Sequence, residues 1–233
     1  MPFYYGYGYY GYIIYMLPAL LLTIYAQIKV KTTFSKYQKI AAGRGLTAAD
    51  VAQRILSAYG LSQVRIEHIA GSLTDHYDPR TNVVRLSDAV YGSSSISAIG
   101  VAAHEVGHAI QHATGYFPIK IRTAIIPICN IGSSLSPFLL LIGLLFNMPA
   151  LYLAGIIAFS LVALFQLVTL PVEYNASSRA LAILSQNDIL SGAELKGAKK
   201  VLGAAAMTYV AALLTSLLQI LYYLSRFQKN SRR

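Results

Sequence analysis

The chain has 233 residues, 19 Lys and Arg against 9 Asp and Glu, a formal net charge of +10 and one cysteine. Only 12% of the residues are charged and 55% are hydrophobic, with a mean hydropathy of +0.51. A soluble domain carries about a quarter charged residues, so an ordinary soluble domain and a disordered chain are both excluded. A lone Cys129 excludes a disulfide framework. Basic residues beside apolar segments read as membrane orientation rather than as a nucleic-acid surface.

Residues 1–12 hold six tyrosines and no Lys or Arg, the composition of an interfacial tip. The apolar run from about Tyr9 to Ile28 competes as a signal peptide or a membrane anchor, and the missing basic n-region favours the anchor. Thr47 and Asp50 form a capping box for a helix with Val51, Ile55, Leu56 and Tyr59 on one face and Gly60 at its end. Val64 to Ile69 alternates apolar and polar residues and predicts a strand. Asp78 to Asn82 is turn chemistry, and Val83 to Leu86 is a second strand. Ser95 to His112 returns to helix and is rich in Ala and Gly, which permit close helix approach.

From Thr123 to Val172 there are 50 residues without one Asp, Glu, Lys or Arg. A spanning helix needs about 20. The run predicts spans at about 124–146 and 150–170 around Asn147-Met148-Pro149, where proline ends the first helix. Val201 to Leu224 supplies a further span. The expected fold is a mostly α membrane protein with about four transmembrane helices and a small α+β cytoplasmic unit. Its divisions are residues 1–30 (tip and first span), 31–122 (polar unit), 123–172 (two spans), 173–200 (a cytoplasmic helix) and 201–233 (last span and basic tail).

Lys and Arg counts set the orientation. Residues 29–122 hold eleven and residues 171–200 hold four, whereas the tip and the 147–150 turn hold none. Four spans then place both polar segments in the cytoplasm of a multi-pass plasma-membrane protein, with the N-terminus outside. The tail with Arg226, Lys229, Arg232 and Arg233 falls outside too, against the rule. Either the last helix is re-entrant or surface-lying, or the rule is overridden there.

His104-Glu105-Val106-Gly107-His108 carries the chemistry. Histidines four apart stack on one helix face and reach one Zn²⁺. Glu105 projects beside the metal, placed to take a proton from the water that the metal activates. A catalytic zinc wants a third protein ligand. His112 lies eight residues after His104, where the helical face has drifted by about 80°, so it is expected to be a supporting or interfacial residue. His68 and His76 fall on strand or turn segments. Glu173 is the first charge after the uncharged run and follows Pro171, a residue of helix first turns. It reads either as the third ligand or as an acid favoured electrostatically at a helix N-terminus.

Three stretches carry a resemblance: Leu73-Thr74-Asp75-His76-Tyr77-Asp78-Pro79-Arg80, Val101 to His112 around the histidine pair, and Leu170-Pro171-Val172-Glu173-Tyr174-Asn175-Ala176-Ser177-Ser178-Arg179-Ala180. Together with Glu194-Leu195-Lys196-Gly197-Ala198 they resemble the YugP-like bacterial membrane zinc metallopeptidases, a neutral zinc metallopeptidase family, from about residue 17 onward. The chain is also similar to the HtpX-type membrane proteases. The resemblance implies a zincin-like unit and a zinc endopeptidase, with one Zn²⁺ per chain on His104, His108 and Glu173 and with Glu105 as general base. The HtpX-type proteases have an Asp four residues after the third ligand, where Ser177 stands here; a serine still hydrogen-bonds a ligand histidine but brings no charge. Tyr77, Arg179 and His112 are candidates for transition-state contacts. Zincins pair an edge strand with an extended substrate backbone. The expected partners are membrane or membrane-proximal polypeptides and the lipid bilayer, without nucleic acid. The rival readings are a divalent-cation transporter, which would hold its donors near the bilayer midplane, and a non-proteolytic membrane metal protein.

Overall fold

A computed structural model describes the backbone of residues 4–231 and the side chains of residues 11–228. Most tyrosines of the tip, and Lys229, Arg232 and Arg233 of the tail, therefore lie outside the described side chains. The element order is α1 (Tyr4–Gln38), α2 (Ala48–Ala58), β1 (Arg65–Ile69), β2 (His76–Asp78), β3 (Val83–Ser87), α3 (Ile96–Ala113), α4 (Phe117–Leu145), α5 (Pro149–Gln186) and α6 (Gly192–Ser231). The protein is mostly α, with four helices long and apolar enough to cross a membrane and one small sheet.

The chain forms two compact units. One comprises residues 1–27, 121–170 and 208–233. Its helices leave large apolar side chains such as Ile14, Ile131, Phe138 and Ile157 exposed, as lipid-facing helices do once their backbones are satisfied internally. Small residues let helices close: a Cβ on Gly143 would meet the Tyr152 backbone nitrogen at 2.5 Å. Tyr222 lies edge-on to Tyr12 at 5.0 Å, and Tyr223 packs on Tyr152 and Phe159. The start of α1, the start of α5 and the end of α6 thus meet at one end of this unit. The end of α6 packs beside Tyr152 near the start of α5, and α6 is one unbroken helix. Arg226 donates there to the Tyr222 hydroxyl at 3.2 Å.

Residues 28–120 and 171–207 form the other unit. Its core gathers Val51, Ile55 and Leu56 of α2, Val84 and Leu86 of β3, Ile99, Ala103, Val106 and Ile110 of α3, and Ile183 and Leu184 of α5. The capping box opens α2: the Thr47 hydroxyl accepts from the Asp50 N–H, and the Asp50 carboxylate accepts from the Thr47 N–H. The sheet order is β1-β3-β2, with β1 parallel and β2 antiparallel to the central β3. Sequence patterning finds β1 and β3 and misses β2 as a strand, because three residues cannot display a period of two.

The β2–β3 turn is fixed by Asp78. Its carboxylate accepts from the Thr81 hydroxyl, the Arg80 N–H and the Arg85 guanidinium at 2.8, 2.9 and 3.1 Å. These donors hold the carboxyl well below the usual carboxylate range. A depressed folded pKa stabilises the hairpin above the unfolded value of 3.8 and loses that contribution as the pH falls through the folded one. Between about pH 6 and about pH 3, the melting temperature of the metal-free protein should therefore fall less in Asp78→Asn than in the wild type.

All four long helices run past their expected limits. Most informative is α5, which continues from Pro149 through Pro171 to Gln186. Pro171 was expected to start a new helix and instead lies inside one. A single proline removes one backbone hydrogen bond, which a long membrane helix tolerates. The expected cytoplasmic helix over 173–200 is the end of α5, a turn with Asp188 at φ 50°, and the start of α6.

Candidate metal centre

Helix α3 begins at Ser95, whose hydroxyl accepts from the Ala98 N–H at 3.3 Å. Its one-turn spacing puts the rings of His104 and His108 edge to face, with centroids 4.7 Å apart and Nε2 atoms 3.2 Å apart. Glu173 arrives from α5. Its Oε2 lies 3.3 Å from His104 Nε2 and 3.5 Å from His108 Nε2. Because α5 starts at Pro149, Glu173 is far from the N-terminus of its own helix, so the dipole of that helix, which acts within the first turn, does not account for it.

Gly107 makes the approach of α5 to α3 feasible. A Cβ there would meet the Ala176 carbonyl oxygen at 2.8 Å. Alanine favours a helix over glycine by about 1 kcal/mol, yet Gly107→Ala should destabilise the protein by about 1–3 kcal/mol through overpacking. It should also weaken zinc binding by pushing Glu173 away from the histidines. Thermal unfolding and zinc titration of this variant check both effects.

The donor set fits zinc. The three donor atoms all lie within 4.8 Å of one another. Zinc bonds of about 2.0–2.1 Å at tetrahedral angles put donors about 3.3–3.4 Å apart, the spacing seen here. Two imidazoles and one carboxylate are the donors of a catalytic site that keeps one position open. The outer ring nitrogens are engaged elsewhere: His108 Nδ1 lies 3.0 Å from Gln111 Oε1 and His104 Nδ1 lies 3.1 Å from Ser177 Oγ. Burial of His108 disfavours its charged form, but the hydrogen bond to Glu173 and the charges of Glu105 and Glu173 outweigh it and raise the pKa. A cation and a proton therefore compete for this place.

Glu105 is buried beside the pair. Its Oε2 accepts the backbone N–H of Tyr77 at 3.1 Å, so β2 is the strand that borders this carboxylate. Burial and the Asp78 charge push the Tyr77 phenol up, and its hydroxyl donates to Asn82 Oδ1 at 2.8 Å. The ring of His112 lies 5.5 Å from that of Tyr77, and His112 is not among the donors. Arg179 donates from Nε to Asn175 Oδ1 at 2.8 Å and lies over the Tyr116 ring. His68 pairs with Asp88 at 2.7 Å, and His76 bonds the Thr74 carbonyl; neither joins the donor group. Sequence reasoning missed Gln111 as a partner of the site. The available signal was its place three residues after His108, on the same helix face.

A family model described as "Putative neutral zinc metallopeptidase" matches residues 12–228. The chain is 49% identical over 211 residues to "Putative membrane protease YugP" of Bacillus subtilis (strain 168), covering 91% of this chain and 94% of that protein. No solved structure matches. With the match running from the first spanning helix into the last, the chain belongs to the neutral zinc metallopeptidase family and is a multi-pass membrane protein.

Proposed function

We propose that this protein is an integral-membrane zinc endopeptidase that holds one zinc per chain on His104, His108 and Glu173 and uses Glu105 as general base. The convergence of three donor atoms from α3 and α5 beside a buried carboxylate carries the reading. Zinc in such a set acidifies water and polarises a carbonyl oxygen. Glu105 takes the proton of the attacking water and delivers it to the leaving amine. The Tyr77 N–H holds one carboxylate oxygen, so the base keeps its aim during the transfer.

The register supports a substrate track. Tyr77 opposes Val84 in the antiparallel pair, yet its N–H turns to Glu105. It therefore occupies a non-hydrogen-bonded position whose polar groups face away from β3. An extended polypeptide laid along this edge of β2 would pass the base. Basic residues concentrate in 29–122 and 171–200, which supports a cytoplasmic active site in the plasma membrane and membrane-proximal polypeptide substrates. A transporter would hold its donors near the bilayer midplane. Here they share a compact unit with a three-stranded sheet, which favours hydrolysis.

Mass spectrometry of the products from a labelled unfolded polypeptide tests the endopeptidase reading. Internal cleavage is expected, and release of terminal residues alone would overturn it. Reporter fusions at both termini should place both outside the cytoplasm.

A further inference from the structure

Gln111, in the last turn of α3, is polar and yet fully buried. Its Nε2 sits 2.8 Å from the Val172 carbonyl oxygen and 3.0 Å from Asn175 Oδ1. A backbone carbonyl only accepts, so this end of the amide must be the NH₂ group. Asn175 Oδ1 is held as an acceptor by Arg179 Nε at 2.8 Å, and a guanidinium only donates. The other end of Gln111 is therefore the carbonyl oxygen, 3.0 Å from His108 Nδ1. An acceptor there requires Nδ1 to carry the proton, which leaves the lone pair on Nε2, the atom facing Glu173 and His104.

Resting on the zinc reading above, we propose that Arg179, Asn175 and Gln111 form a chain of positioning residues that fixes the tautomer of His108 before any metal arrives. Each bond in the chain has one allowed polarity, set at one end by the arginine and in the middle by the Val172 carbonyl. The same contacts tie α3 to the backbone and side chains of α5 on either side of Glu173. His104 differs. Its partner, the Ser177 hydroxyl at 3.1 Å, donates or accepts with equal ease. One ligand histidine is therefore preset and the other adapts. The orientation of the neutral amide is fixed by the Val172 carbonyl and by Asn175, which Arg179 holds. Arg179 acts through Asn175, whose Oδ1 it holds at 2.8 Å.

The test uses the full chain in detergent, metal-stripped and labelled with ¹⁵N-histidine, at an alkaline pH where the rings are neutral. The wild type should show His108 as the Nδ1–H tautomer; a dominant Nε2–H tautomer would overturn the proposal, and this needs no variant. Gln111→Met should lose the tautomer preference and weaken zinc binding about 10–100-fold, read by competition with a chromophoric chelator. Arg179→Met, at a half-buried site, should fold, mix the tautomers partially and weaken zinc binding by a smaller factor. Unchanged tautomer and affinity in both variants would also overturn it. The tautomer readout is independent of cleavage, so a failure of the peptidase reading would be seen separately, as absent zinc-dependent hydrolysis.

Discussion

Glu105→Gln is expected to keep zinc at the wild-type level and to lower peptide hydrolysis by about 10²–10⁴-fold, the usual worth of a positioned general base. The amide preserves the shape and still accepts the Tyr77 N–H that now reaches Oε2 at 3.1 Å, so the fold around β2 and α3 is retained. What it lacks is basicity: an amide takes no proton from water. The candidate donor atoms belong to His104, His108 and Glu173, so metal content is expected to be unchanged. Metal analysis and cleavage rates on the same preparation separate the two roles. A rate within a few-fold of wild type would move the base to another residue.

Glu173→Ala should abolish stoichiometric zinc binding at concentrations that saturate the wild type. It removes the anionic donor that lies 3.3 and 3.5 Å from the two imidazoles, and with it the charge that offsets a dication in a buried place. The loss should exceed the about 10–100-fold typical of removing an outer hydrogen-bonding partner. Glu173→Gln is the sharper companion, since it keeps the volume and one oxygen but not the charge. Chelator competition measures both. Retained wild-type affinity in the alanine variant would exclude Glu173 as a ligand, and hydrolysis should fall in step with metal occupancy.

The parts of this protein legible from sequence are those written in short-range patterns. The His104–His108 spacing is one helical turn, the Thr47–Asp50 capping box is four residues long, and the 50-residue uncharged run needs only counting. Helix extents were less legible, because apolarity marks where a span can lie and not where its hydrogen bonding stops. Thus α5 continues through Pro171 to Gln186. Long-range partners were the least legible. Gln111 meets Asn175 across 64 residues of sequence and Tyr77 meets Glu105 across 28, and no local period announces either pair. Glu173 sits between these cases: isolation after an uncharged run marked it, but only the packing of α5 against Gly107 brings it to the histidines.

The most direct test is zinc titration of the purified, chelator-stripped full chain while cleavage of a labelled unfolded polypeptide is followed. No cleavage is expected without metal, and recovery should saturate at one zinc per chain. Glu105→Gln should show the same binding without recovery. Cleavage that persists after complete metal removal, or full zinc occupancy with no hydrolysis in the wild type, would contradict a zinc-dependent peptidase.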